Sequence, residues 1–241
     1  MRRLLAAMRT DALLQQRNQL YAISVGVALV TGGALAWLSP VDMVHRTVPM
    51  TLLLFVGGST LLYVVAMILL ERAHGTLSAA VVSPLRPAEY LASKVLTLGA
   101  LATLEGVLIA GGALLLLSRE GDVIWPRPLP FAAGLVALSV MHVLVGVILV
   151  VRYQRIMQAL LPMGAIATVL QLPAFWFVGA LDHRAWLLIP SGGPTMLVRG
   201  AFTPLTPWES TYAVLFTALP CLALAVWALR AFHRHVVLEG R

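Results

Sequence analysis

Six mostly apolar runs dominate this chain, approximately Tyr21–Leu38, Val48–Leu70, Val95–Leu117, Phe131–Val151, Ile156–Leu181 and Tyr212–Leu229. About 20 residues at 1.5 Å each span roughly 30 Å of hydrocarbon. In lipid, every backbone N–H and C=O must find its partner within the segment, so runs of this length predict helices. Composition agrees, with 60% hydrophobic and 11% charged residues and a mean hydropathy of +0.90 over 241 residues, whereas soluble domains hold about 45–50% apolar residues. A soluble globule, a disordered chain, collagen and a coiled coil are excluded. The expectation is an all-α integral membrane fold, one membrane domain over residues 1–241.

The polar connections set the orientation. Arg2 and Arg3 lead into Leu4–Arg17, which is cut by Arg9, Asp11, Gln15 and Gln16 and has no apolar core or small-residue cleavage site, so a signal peptide is not expected. Residues 1–18 read instead as an amphipathic helix at the membrane surface. Six spans put both termini on one side. That side then carries 12 of the 17 Lys and Arg residues and the other side 5, so the termini are expected in the cytoplasm of a cell (inner) membrane. Arg152 and Arg155 need no role beyond this signal. The net charge of +7 does not point to nucleic acid, because the basic residues are neither gathered on one element nor interleaved with exposed aromatics. The lone Cys221 lies in an apolar run and excludes an internal disulfide or a cysteine metal cluster.

Two connections are long. Outside, residues 182–210 hold two short semi-apolar pieces around Pro190-Ser191-Gly192-Gly193-Pro194, which suggests a re-entrant or interfacial helical hairpin before the last span. Inside, residues 71–94 carry their own pattern. Gly75 and Thr76 can break the second span and start a short helix with Leu77, Ala80 and Val81 on one stripe. Ser83-Pro84 ends that helix; Pro87 suits the first turn of the next one, with Glu89 near its positive end. A short amphipathic helix on proline hinges suits docking to a soluble partner, although a plain helical turn fits the periodicity equally.

Glu71-Arg72, Gly75-Thr76-Leu77, Ser83-Pro84-Leu85-Arg86-Pro87, Glu89-Tyr90-Leu91 and Lys94 resemble the inner loop of ABC-2 type transporter permeases. There this element is a coupling helix seated in a groove of the nucleotide-binding subunit. The resemblance also covers the N-terminal connecting helix, the six spans and the broken outer segment, and in length and loop sequence the chain is similar to fluoroquinolone or multidrug export permeases. It implies a transport subunit rather than an enzyme, with Glu71, Arg72, Gly75, Thr76, Leu77, Ser83, Pro84, Arg86, Pro87 and Glu89 at coupling positions. It further implies an ABC ATPase partner carrying ATP and Mg, and a second permease copy or close paralogue. The outer loops are too short for a folded external domain. No phosphate-binding loop occurs, since Lys94, the only lysine, follows Ser93, so ATP is expected on the partner chain only. Drug or antibiotic export is the favoured cargo class, with lipid-linked or haem-type cargo, a membrane-embedded enzyme or a scaffold as alternatives.

Inside the spans, Glu105 stands out, because a carboxylate at bilayer depth costs about 2.5–3.5 kcal/mol and should face protein or water. It is a candidate for the translocation path or for a hydrogen bond with His142. Gln158, Gln171, Pro162 and Pro173 mark the fifth span as kinked and partly polar, a candidate cavity wall or dimer face. The pairs Gly32-Gly33, Gly57-Gly58 and Gly111-Gly112 suggest close helix packing. His233 and His235 lack a third ligand for a metal. Ser191 lacks a nucleophile motif.

Overall fold

A computed structural model describes residues 2–76, 86–181 and 183–238. Its helices are α1 (Arg2–Arg17), α2 (Leu20–Leu38), α3 (Val44–Ala73), α4 (Pro87–Leu117), α5 (Pro128–Val150), α6 (Ile156–Gln171), α7 (Ala174–Val178), α8 (Gly192–Phe202) and α9 (Pro207–Phe232). Short 3-10 turns at Val41–Met43 and Arg184–Leu188 and a π turn at His233–Leu238 complete it, with no strand among the described residues. Six helical stretches are long and apolar enough to cross a membrane, as the sequence predicts: Leu20–Leu38, Val41–Ala73, Pro87–Leu117, Pro128–Val150, Ile156–Val178 and Pro207–Val236.

The predicted ends shift where polar residues extend a helix beyond its apolar centre. Pro49 sits inside α3 near its start, and the helix runs on through Glu71 and Arg72 to Ala73. Gly75 then stops it at φ 71°, a left-handed conformation that favours glycine. α4 begins at Pro87, eight residues before the predicted third span, with the Arg86 N–H donating to Glu89 Oε2 at 2.9 Å. Proline at the first turn and an acidic side chain closing on the backbone N–H before it are a strong helix start. The fifth span is two helices: α6 ends at Gln171, Pro173 turns the chain, and α7 stops at Gly179 with φ 80°.

α3 and α5 form the buried centre, flanked by α2, α4 and α8, while α6 and α9 leave most of their surface exposed. Two apolar clusters stack along the bundle. Val64, Ile68, Leu98, Val147 and Phe232 pack at the end that carries both termini. Leu52, Val56, Ile109, Leu135 and Phe202 pack toward the opposite end.

The stretch between α7 and α9 is tightly packed. Nine of the 11 residues of α8 are buried. Its backbone lies so close to α5 that a Cβ on Gly134 would sit 2.7 Å from Val198 N and 2.9 Å from Pro194 O. One on Gly193 would sit 2.6 Å from the Phe216 carbonyl, so glycine permits both approaches. Ser191 is fully buried and donates to Leu170 O at 2.5 Å, pinning α8 to α6. α9 is capped by Thr206 and Glu209, whose carboxylate also accepts from Arg199 Nη1 at 3.0 Å. Of the glycine pairs, Gly32 and Gly57 make close helix contacts, whereas Gly33, Gly111 and Gly112 face open space.

Candidate functional site

Two buried polar clusters stand out in this apolar bundle. The first lies at the end that carries the termini and joins three helices. Lys94 on α4 is 1% exposed; its ammonium donates to Glu71 Oε1 on α3 and, at 2.5 Å, to Asp11 Oδ1 on α1. Ser93 Oγ donates to Asp11 Oδ2 at 2.5 Å, and Tyr90 OH donates to Glu71 Oε2 at 2.6 Å. The ammonium also lies 5.0 Å from the Tyr90 ring centroid, within cation–π range. Phe232 of α9 stacks on the Tyr90 ring with centroids 4.8 Å apart.

Every oxygen of the two carboxylates therefore meets a donor, the condition under which buried charge is tolerated. The cluster clamps both ends of the 71–94 connection to one point and holds α1 there too. α1 buries Asp11 and Gln15 against the bundle beside the half-buried Leu4 and Leu14, and leaves its four arginines exposed together with Leu5 and Leu13. Gln15 is enclosed with neither amide atom partnered among the described residues.

The coupling candidates divide around this clamp. Glu71 belongs to it and faces the interior. Arg72 reaches across to the carbonyls of Tyr153 and, at 3.5 Å, Val151, tying α3 to the α5–α6 connection. Thr76 Oγ1 donates to Glu71 O at 3.0 Å. Arg86, Pro87 and Glu89 build the start of α4. Leu77, Ser83 and Pro84 lie outside the described residues, as does the amphipathic stripe between them. The sequence missed the clamp because Asp11 and Lys94 are 83 positions apart and each reads alone as a surface charge; the one available signal was a single lysine inside a span-leading apolar run.

The second cluster surrounds Glu105, which is fully buried. Ser24 Oγ of α2 and Tyr63 OH of α3 donate to its Oε2 at 3.0 and 2.8 Å, and Ser59 Oγ donates to Oε1 at 2.7 Å. Its partners are thus hydroxyls from the first two spans. The predicted contact with His142 is absent, because both Glu105 oxygens are taken by the hydroxyls of Ser24, Ser59 and Tyr63. His142 packs against Gly57, places Nδ1 2.8 Å from Leu138 O, and leaves Nε2 without a partner among the described residues. A carbonyl can only accept, so Nδ1 bears the proton and Nε2 is an open acceptor. Gln171 Nε2 donates to Leu54 O at 3.0 Å, bridging α6 to α3. Gln158 is exposed on the first turn of α6. Glu105, His142 and Gln171 therefore meet the middle of α3 from three separate helices, and Gln158 does not join them.

A family model described as the fluoroquinolones export permease protein family matches residues 2–240. Two relatives from Mycobacterium tuberculosis, the fluoroquinolones export permease proteins MT2761 (strain CDC 1551 / Oshkosh) and Rv2687c (strain ATCC 25618 / H37Rv), are each 29% identical over 245 residues. The alignment covers 98% of this chain and 98% of each relative.

Proposed function

Because the chain belongs to the fluoroquinolones export permease protein family, a family of multi-pass export permeases, we propose that it is the membrane subunit of an exporter of fluoroquinolone-type drugs driven by a separate ATPase. Both termini and the 71–94 connection face the cytoplasm in this reading, consistent with the excess of Lys and Arg on that side. ATP and Mg stay on the partner. Its closure pushes on the 77–85 segment, and the push enters the bundle through α3 and α4. α1 then lies along the inner membrane surface, with Leu5 and Leu13 in lipid, and the α8 region dips back from the outer surface. A second permease covers part of the surface of α6 and α9, the spans least buried within the bundle, and lipid covers the rest.

The observation that carries this reading is the Asp11–Lys94–Glu71 clamp. It fixes the roots of the 71–94 connection to each other and to α1, so a displacement of the intervening segment is delivered to three helices together.

The test is a pull-down of tagged permease from mild detergent, with ATPase turnover measured after reconstitution. An ATP-binding cassette subunit should co-purify, with drug-stimulated turnover that Leu77→Asp abolishes without loss of membrane insertion. Recovery of the permease alone, or unchanged stimulation in Leu77→Asp, would refute the assignment of the drive.

A further inference from the structure

A cavity of about 240 Å³ opens between α5, α6 and α9. Met141 and Ile148 of α5, Leu170 of α6 and Leu224 of α9 supply its apolar wall, Trp227 adds an indole, and Arg152, just past α5, is the one charged residue that lines it. The position is separate from the Glu105 cluster, which lies among α2, α3 and α4. Arg152 makes no side-chain hydrogen bond or ion pair among the described residues, in contrast to Arg72, Arg127 and Arg199, which are all engaged. A guanidinium on the rim of an otherwise apolar pocket fits a planar carboxylate, which it can hold by two parallel hydrogen bonds. Indole and aliphatic walls fit a flat ring system better than a flexible chain. The rim is also the end of the bundle at which the termini lie, so the charged head of a bound molecule would sit at the membrane surface while its body occupies hydrocarbon depth.

We propose that this cavity is a binding site for small aromatic carboxylates taken from the leaflet on the terminal side, with Arg152 holding the carboxylate and Trp227 stacking on the ring. As a site for cargo it rests on the drug-export reading; as a binding site it does not. It gives Arg152 a role that positive charge beside a span does not by itself require. An anionic phospholipid shares the head chemistry and is the rival occupant, but two long acyl chains exceed a pocket of this size.

The experiment uses purified full-length permease in phosphatidylcholine nanodiscs, with radiolabelled 2-naphthoate and its uncharged methyl ester as probes. Saturable binding of 2-naphthoate should weaken about 10-fold in Arg152→Gln, in line with loss of a charge-assisted contact. Arg152→Lys, which keeps the charge but not the two parallel hydrogen bonds, should fall between wild type and Arg152→Gln, while ester binding stays the same in all three proteins. Leu224→Trp should block both probes by filling the pocket. Equal 2-naphthoate affinity in Arg152→Gln would overturn the site. So would nanodiscs containing phosphatidylglycerol in which Arg152 retains that lipid and 2-naphthoate fails to bind. Drug accumulation in cells expressing the wild-type and Arg152→Gln permeases separates the two readings. Export without Arg152-dependent binding sinks the site alone, whereas binding without export sinks the cargo reading.

Discussion

Replacing Lys94 by methionine keeps the length and much of the volume of the side chain while removing the cation that joins Asp11 and Glu71. Both carboxylates are less than a tenth exposed, so neither can recover its lost partner from water. Ser93 and Tyr90 still donate to them, yet two like charges then share one enclosed site. Removing one partner of a buried ion pair costs about 3–5 kcal/mol. For 150–250 residues, about 1 kcal/mol moves the melting temperature by roughly 2–4 °C, so Lys94→Met should melt about 6–20 °C below wild type. Cys221 is the only thiol in the chain and is partly buried on α9, so a thiol-reactive fluorophore in detergent reports unfolding from one known position. The triple variant Asp11→Asn, Glu71→Gln, Lys94→Met removes all three charges and should regain more than half of the loss. A single variant that melts within 2 °C of wild type would show that the three groups are not an energetically coupled buried cluster. A triple variant as unstable as the single would place the cost in packing rather than charge.

Gly134→Ala should destabilise by about 1–3 kcal/mol, because the added methyl meets backbone atoms of α8 that cannot step aside; Gly111→Ala, which faces open space, should melt with wild type in the same thiol assay. Glu105→Gln keeps the shape but offers one oxygen where three hydroxyls now donate to two, and should cost about 1–3 kcal/mol. Drug accumulation in cells carrying that variant shows whether the cluster also serves transport. Thr206→Ala removes the cap of α9 and should lower stability by about 1 kcal/mol, read as a small downward shift of the same melting curve.

The six spans were legible because a run of apolar residues at bilayer length has few other solutions, and the break in the fifth was visible in Pro173. Their ends were less so. Helix α4 starts on Pro87 and α3 runs through Arg72, because caps and hydrogen bonds carry a helix past the point where hydropathy falls. Glu105 was recognisable as an intramembrane carboxylate, but its donors were not. Ser24, Ser59 and Tyr63 are ordinary residues in apolar runs, and only the packing of α2 and α3 against α4 selects them over His142. The clamp was hidden for a different reason: pairing between residues 83 positions apart leaves no local period, and Asp11 stood in a segment read as a surface helix.

That separation also sets an order of events at the ribosome. Asp11 is made 83 residues before Lys94, which at about 5–20 residues per second is roughly 4–17 s. Through that interval α2 and α3 can already be entering the bilayer while the N-terminal segment waits with a carboxylate that has no counter-ion, and Glu71 joins it with a second. The arrival of the lone lysine neutralises part of both at once. A nascent chain whose third span enters late or in the wrong direction leaves Asp11 and Glu71 without the ammonium that joins them in the folded bundle.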